Sequence, residues 1–370
     1  MVRFWNAPGK TFSEAFDPRN NAIGLLRTFL ALLVILTHSF HLGGLGVDWV
    51  LRFGQDQETI GGIAVKGFFV LSGFLITASY VRSPSVWRYM WQRFLRIMPG
   101  FWVALLVVAL GFAPLMYRLQ NGTLDGFTLL NEGGSVDYIR SNFFLEIKQY
   151  EVAGLTARLP WPNAFNGSLW TLIYEAKAYL MVAVIGVFGL FKGRRSIVLA
   201  GTAILSILHL IGTASQASLA TLSPLFADKQ LLILILFFMF GSVWYLYQDK
   251  IVVQHKLGIL AIFLYILGLR YSAHAILSPF TFTYMIMYLA SHLPFKNFDR
   301  KADFSYGIYI YAFPIQQLMS QLQMNKRGIV VYSLLSVMAT IPLAVASYYF
   351  VEKPSLRLKS LSFSKKGLVI

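Results

Sequence analysis

Ten apolar stretches, each long enough to cross or nearly cross a bilayer, alternate with short polar segments along the chain. The pattern predicts an all-α polytopic membrane protein, a bundle of about ten transmembrane helices. With no internal repeat and no second soluble region, residues 1–370 are predicted to form a single membrane domain. The predicted spans are Ile23 to Leu42, Ile60 to Tyr80, Pro99 to Leu119, Leu169 to Phe191, Ile197 to Gly212, Leu231 to Tyr247, Leu257 to Leu269, Ala275 to Ser291, Phe304 to Leu322 and Gly328 to Phe350.

The polar segments differ in charge from one side of the predicted bundle to the other. An even number of spans places both termini on one side, and the segments on that side hold 20 of the 32 Lys and Arg residues, against nine on the other. Positive charge is retained in the cytoplasm, so residues 1–22 and 351–370 are predicted to be cytoplasmic. Residues 117–168 then form a long external loop. Its aromatic residues suit either an acceptor cleft or packing of the loop over the bundle.

Composition agrees with a membrane protein and narrows the chemistry. Hydrophobic residues make up 56% of the chain and charged residues 13%. The net charge of +16 follows from the loop asymmetry, so nucleic acid is not an expected partner, whereas the lipid bilayer is. The chain has no cysteine, which excludes disulfides, thiolate metal sites and a cysteine nucleophile. No His, Asp and Glu spacing indicates a metal site.

The first predicted span carries two ionisable residues, Arg27 and His38. Their separation of eleven positions is about 1100° of helix rotation, or about 20° after full turns, so both lie on one stripe about 16 Å apart. Ionisable groups inside a span are costly and usually face a protein-lined interior. The stripe therefore favours catalysis by His38 over the alternative, a helix histidine bonded to a carbonyl group.

Further charged residues are predicted near the same stripe. Lys66 and Glu175 lie at about the depth of His38 if both spans enter from outside, and Glu175 can pair with either of the other two. At the cytoplasmic side Arg93 and Arg96 are three positions apart, so a helix presents both guanidinium groups on one face, in a geometry suited to phosphates. The alternative for these arginines is a plain positive-inside anchor.

Several segments together resemble the acyltransferase 3 family of membrane acyltransferases, whose members include O-acetyltransferases of surface glycans. The resemblance covers most of the chain. The matching segments are Arg27 with ten residues to His38, GFFVLSGFLI at Gly67 to Ile76, RFLRIMP at Arg93 to Pro99, SLWTLIYE at Ser168 to Glu175, FSYGIYIYAFP at Phe304 to Pro314 and VEKP at Val351 to Pro354.

The resemblance implies that His38 and Arg27 are required for activity, that the region of Arg93 and Arg96 meets acyl-coenzyme A, and that Glu175 belongs to the active cavity. It also implies a bacterial inner-membrane protein with no tightly bound cofactor, which uses acetyl-coenzyme A (acetyl-CoA) as co-substrate. Two positions depart from the family pattern. Many members have an acidic residue where this chain has Gly24, and many have Asp or a small polar residue near Lys66.

The expected reaction is acetyl transfer from cytoplasmic acetyl-CoA to a hydroxyl group of a surface or lipid-linked glycan. His38 is expected to act as general base or acyl carrier, Glu175 to orient it, and Lys66 to neutralise Glu175 or the oxyanion. Ser72, Trp170 and Tyr309 are candidate substrate contacts, although Ser72 and Tyr309 also suit packing. Two alternatives remain open: a proton-coupled secondary transporter, and an acyltransferase that acts on a small metabolite or antibiotic.

Overall fold

A computed structural model describes residues 9–214, 228–296, 298–300, 302–360, 362–364 and 367–369. Arg3 and Lys301, which enter the charge count, and part of the predicted cytoplasmic tail lie outside these residues. Helices dominate the described chain. They are α1 (Phe12–Ala15), α2 (Ile23–Gly43), α3 (Trp49–Phe53), α4 (Ile60–Arg82), α5 (Val86–Val107), α6 (Ala113–Asn121), α7 (Ser135–Asn142), α8 (Leu172–Val187), α9 (Arg195–Ala214), α10 (Lys229–Leu246), α11 (His255–Arg270), α12 (His274–His292), α13 (Ser305–Gln321), α14 (Ile329–Ser347) and α15 (Lys353–Arg357).

Strands are few and short. The pair β1 (Lys10–Thr11) and β2 (Val252–Val253) is antiparallel, as is the pair β3 (Ser362–Ser364) and β4 (Gly367–Val369). These strands lie outside the long apolar helices, and helices make up most of the described chain, so the predicted helical character is confirmed.

Seven helices in the described chain are long and apolar enough to cross a membrane. They are α2, α4, α5 with its continuation, α8 with the turn before it, α9, α10 and α14 with its continuation. The other three predicted spans are also helical, as α11, α12 and α13. Of these, α11 has 16 residues and α13 has 17. At about 1.5 Å per residue both are shorter than the hydrocarbon core of a typical bilayer.

The third span differs from its predicted beginning at Pro99. Helix α5 begins at Val86 and continues through Pro99 into a π-helical segment, Val108–Phe112, and then into α6. Proline removes one backbone hydrogen bond, which membrane helices tolerate when neighbouring groups compensate. Arg93 and Arg96 therefore lie on the same helix that enters the predicted span.

The chain divides into two compact units, and the division falls within α2, α5 and α8. The first unit comprises residues 1–30, 49–89 and 177–301. In this unit α4 crosses α10 at close range. The backbones approach so nearly that a Cβ on Gly73 would overlap the backbone of Phe238. Across the same crossing the Thr77 hydroxyl donates to Ser242 over 2.9 Å. Close backbone contact at small residues is typical of helix packing in membranes.

The second unit comprises residues 31–48, 90–176 and 302–370. Helix α13 packs against α14, and the predicted external loop is folded within this unit. Asn142 organises the loop, because its side-chain oxygen accepts from the amides of Lys148 and Gln149. Tyr138 is fully buried, whereas the Trp161 side chain is 44% exposed. Packing thus accounts for part of the aromatic content of the loop, and Trp161 remains open to solvent.

Candidate active site

His38 lies in the second unit, on the last third of α2. Its ring meets the Phe313 ring edge-on, with 5.0 Å between centroids. The Nδ1 atom is buried and has no hydrogen-bond partner among the described residues. A buried nitrogen left in this way costs about 1–3 kcal/mol, which argues against a purely structural histidine bonded to a carbonyl group. Nδ1 of the imidazole is therefore left without a hydrogen bond from the described protein, and catalysis by His38 stays a prediction.

The loop before α8 closes over Phe313. A Cβ on Gly167 would lie 2.6 Å from the Phe313 ring, so only glycine fits there without a shift of the ring. Leu42, Ala164 and Phe313 form one buried apolar cluster. The His38 ring thus lies beside a packed aromatic side chain that the loop holds in place.

Arg27 lies in the first unit, one turn after Gly24 on α2. A Cβ on Gly24 would overlap the carboxyl group of Asp299. Residues three apart on a helix share a face, with about 5–6 Å between their Cβ atoms. The space left by the missing side chain at position 24 is therefore filled by a carboxylate from elsewhere in the chain, within a turn of the arginine.

Arg96 is held by acidic residues. Its guanidinium forms an ion pair with Asp303 at 2.8 Å and a second with Glu352 at 3.6 Å. It also lies over the ring of Tyr306, whose hydroxyl donates to the Ile97 carbonyl over 2.8 Å. These contacts join α5 to the segments before α13 and after α14. They assign Arg96 first to the architecture of the unit.

Glu175 and Tyr309 belong to the same side of this network. The Tyr309 hydroxyl and the Thr171 hydroxyl form a hydrogen bond of 2.6 Å. Glu175 follows Thr171 by one helical turn and acts electrostatically on both Tyr309 and Tyr306. Trp170 packs edge-on against Tyr174 at 5.5 Å. The structure thus groups Glu175 with the tyrosines of α13, and orientation of His38 by Glu175 stays a prediction.

The remaining predicted site residues are distributed over both units. Arg93 is half-buried on α5 in the second unit, and Ser72 is half-buried on α4 in the first. Lys66 is buried in the first unit on α4. His38, Arg93, Arg96, Trp170, Tyr309 and Glu175 therefore lie in one unit, and Arg27, Lys66 and Ser72 in the other.

Lys66 has an acidic partner that the sequence did not indicate. Its ammonium group pairs with Glu58, and His274 Nε2 lies 3.1 Å from the same carboxylate oxygen. Glu58 precedes α4. Burial opposes ionisation of Glu58, but the charge of Lys66 and the hydrogen bonds from His274 and Lys66 outweigh it, so the pKa of the carboxyl lies below its ordinary value. The structure thus pairs Lys66 with Glu58, and neutralisation of Glu175 or of the oxyanion by Lys66 stays a prediction.

In the part of the chain that the structure describes, no three His, Asp, Glu or Cys side chains are placed to hold a metal ion.

Known proteins resemble this chain over most of its length. The sequence profile of the acyltransferase 3 family, described as an acyltransferase domain, matches residues 20–349. The chain belongs to the acyltransferase 3 family. A protein named O-acetyl transferase from Shigella phage Sf6 is 32% identical over 344 residues, covering 90% of this chain and 96% of the relative. Nodulation protein 10 of Rhizobium leguminosarum bv. viciae is 26% identical over 401 residues, covering 95% and 97%. No solved structure matches the chain.

The family match covers the region that contains His38 and Phe313. The matched region, residues 20–349, includes most of both units and every predicted site residue, from Arg27 to Tyr309. The apolar helices and the family together show an integral membrane protein of the acyltransferase class.

Proposed function

We propose that this acyltransferase moves an acetyl group from cytoplasmic acetyl-CoA to a hydroxyl group of an externally presented glycan or lipid-linked saccharide. The observation that carries the proposal is the buried, unpartnered Nδ1 of His38 in a chain of this family. The name of the phage Sf6 relative supports an O-acetyl product. The protein would lie in a bacterial plasma membrane with about ten spans and both termini in the cytoplasm.

His38 would act as the general base. Its Nδ1 accepts the proton of the acceptor hydroxyl while the hydroxyl oxygen attacks the thioester carbonyl. The carbon–sulfur bond breaks, and the coenzyme A thiolate leaves and takes up the proton from the imidazolium. The balanced products are an acetyl ester and free coenzyme A. In a two-step variant, the imidazole nitrogen attacks the thioester carbonyl and the coenzyme A thiolate leaves as the carbon–sulfur bond breaks. The acceptor hydroxyl then attacks the acetyl-imidazole, the nitrogen–carbon bond breaks, and the hydroxyl proton passes to the thiolate.

The donor would enter along the arginines of α5. Arg93 is half-buried in the second unit and is the stronger candidate for a phosphate contact. Arg27, in the first unit, remains a predicted phosphate contact. Arg96 already holds two carboxylates, so its contribution to donor binding would be indirect, through the placement of α5.

The other predicted contacts would have supporting roles in the reaction. Glu175, Tyr309 and Trp170, all in the second unit, would line the active cavity beside the Arg96 network. Ser72, in the first unit, remains a predicted substrate contact. Lys66 shares Glu58 with His274, which favours a positioning role over stabilisation of the oxyanion.

Donor dependence tests the proposal against transport. Purified protein in nanodiscs is given acetyl-CoA labelled in the acetyl group, together with bacterial surface polysaccharide or lipid-linked saccharide, and the label in the glycan is counted. We expect glycan label only when acetyl-CoA is present, with release of one free thiol per ester formed. Saccharide movement across proteoliposomes without acetyl-CoA would support a transporter. Label found only in small added metabolites would move the acceptor to that class.

A further inference from the structure

The outer part of α2 and the end of α13 run side by side in the second unit. Gln316 on α13 donates to the Ile35 carbonyl over 3.0 Å, and further along both helices Ser320 donates to the Leu42 carbonyl over 2.6 Å. Residue numbers therefore rise in the same direction on both helices. His38 meets Phe313 in this interface, and the next turn of each helix brings His41 and Gln317.

Gln317 fixes the loop that carries Trp161. Its side-chain Nε2 donates to the carbonyl groups of Trp161 over 2.9 Å and Ala164 over 2.6 Å. Because a carbonyl oxygen can only accept, these two bonds determine which branch of the amide is nitrogen. The other branch, Oε1, is fully buried and has no partner among the described residues. Gln317 thus presents an acceptor that needs a donor from outside the protein.

A second buried polar atom, a few residues after Trp161 and Ala164, also lacks a hydrogen-bond partner in the described chain. The Ser168 side chain is 2% exposed, and its hydroxyl has no partner among the described residues. Ser168 follows Gly167, the residue that packs against the Phe313 ring beside His38. Three buried polar atoms without a partner among the described residues thus belong to His38, to Gln317 one helical turn after Phe313, and to Ser168 next to Gly167.

Trp161 supplies an apolar surface next to these atoms. Its indole meets the His41 ring edge-on at 5.4 Å, yet the side chain remains 44% exposed. His41 itself is anchored, with Nδ1 3.0 Å from the Thr37 carbonyl of its own helix. The indole thus contacts His41, one helical turn beyond His38, and Trp161 is partly exposed.

We infer that Trp161, Gln317 and Ser168 form the acceptor subsite, and that its ligand is a saccharide ring stacked on the indole. This inference rests on the proposed function. A saccharide offers an apolar ring face together with hydroxyl groups that both donate and accept, which matches the indole, Gln317 Oε1 and the Ser168 hydroxyl. An acyl chain or a sterol would leave both polar atoms unsatisfied. His38 and His41 are one turn apart, so a ring held at Trp161 brings a neighbouring hydroxyl group to His38.

Binding in the absence of donor tests the subsite separately from catalysis. Protein in nanodiscs, without acetyl-CoA, is applied to an array of immobilised bacterial surface polysaccharides. We expect wild type to bind at least one polysaccharide, Trp161→Ala to bind it about tenfold more weakly, and Trp161→Phe to keep most of the affinity. Phe144→Ala is the matched control, because Phe144 is a more exposed aromatic residue of the same loop and should leave binding unchanged.

Ser168→Ala separates recognition from folding. The hydroxyl has no partner, so its removal should leave the melting temperature unchanged or raise it, while saccharide affinity falls by about three- to tenfold. A lowered melting temperature with unchanged affinity would overturn the inference, as would wild type binding no polysaccharide or Trp161→Ala binding as wild type does. If wild type binds saccharides but never acetylates them, the proposed function fails and the subsite stands. If it acetylates them and Trp161→Ala changes neither binding nor acceptor KM, only the subsite fails.

Discussion

At the scale of single residues, the buried charge of Lys66 is compensated by Glu58, eight positions earlier in the chain, and the Glu58 carboxylate is shared with the distant His274. Lys66 and Glu58 are 7% and 6% exposed, and His274 shares their carboxylate. A buried ion pair adds little net stability, but removal of one partner leaves a charge that water cannot reach. The role of Lys66 therefore depends on Glu58.

We expect Glu58→Gln to destabilise the protein by about 3–5 kcal/mol, because it leaves the Lys66 ammonium uncompensated. The double variant Glu58→Gln/Lys66→Met removes both charges and keeps a side chain that can bond His274, so most of the stability should return. Thermal unfolding in detergent measures both, with the exposed Glu132→Gln as control. A double variant no more stable than Glu58→Gln would contradict the pairing.

The carboxyl group of Asp299 is a second acidic group that lies near a predicted site residue. Its carboxyl group lies where a side chain on Gly24 would be, one turn from Arg27. We expect Asp299→Ala to lower acetyl transfer about tenfold by loss of a charge that positions Arg27. Gly24→Asp in the same background returns a carboxylate to the same place from α2 itself.

Partial recovery in the double variant Gly24→Asp/Asp299→Ala, measured as kcat in the label-transfer assay, is the expected result. Asp299→Ala with full activity would show that Arg27 needs no carboxylate at this position. Gly24→Asp alone should be impaired, because two carboxyl groups would then compete for one space.

The sequence located the charged residues but not their partners. Arg27, His38 and Lys66 stand out because each interrupts an apolar stretch, and their positions on helices follow from spacing alone. Glu58 does not stand out, because it lies in a polar segment, and His274 is 216 residues away from it. Asp299 replaces a side chain that the local pattern lacks. Such partners depend on how distant helices pack, which periodicity does not encode.

At the scale of elements, α5 combines the basic motif with the predicted third span. The helix continues from Val86 through Pro99, and Arg96 links it to Asp303 and Glu352. The apolar pattern predicted the existence of the span. It did not predict the early beginning of the helix or the π-helical segment, because both depend on neighbours that compensate the backbone.

We expect Arg96→Met to lower the stability of the protein and Arg93→Met to weaken donor binding. Arg96→Met leaves the carboxylates of Asp303 and Glu352 without their cation, so the melting temperature should fall by the equivalent of about 3 kcal/mol. Arg93→Met should instead raise the KM for acetyl-CoA about tenfold, because a phosphate contact is lost. Exposed Arg88→Met is the control for stability. Arg96→Met with wild-type stability and a raised donor KM would return Arg96 to the donor site.

At the scale of the whole molecule, the charge asymmetry of the loops makes a topological prediction. The chain has no cysteine, so a single introduced cysteine reports without background. We expect Leu130→Cys, in the predicted external loop, to react with an impermeant maleimide in intact spheroplasts. Lys250→Cys should react only after permeabilisation. The reverse pattern would place the loop in the cytoplasm and separate His38 from an external acceptor.

We propose above all that the imidazole of His38, whose Nδ1 atom is buried, performs the transfer. The most direct measurement compares wild type, His38→Ala and His292→Ala in the labelled acetyl-CoA assay, with melting temperatures taken in parallel. His292 bonds to groups of its own helix in the first unit and is a suitable histidine control. We expect His38→Ala to transfer acetyl groups at least about 100-fold more slowly than wild type at unchanged stability, and His292→Ala to transfer them at the wild-type rate. Transfer within a few fold of wild type by folded His38→Ala would contradict it.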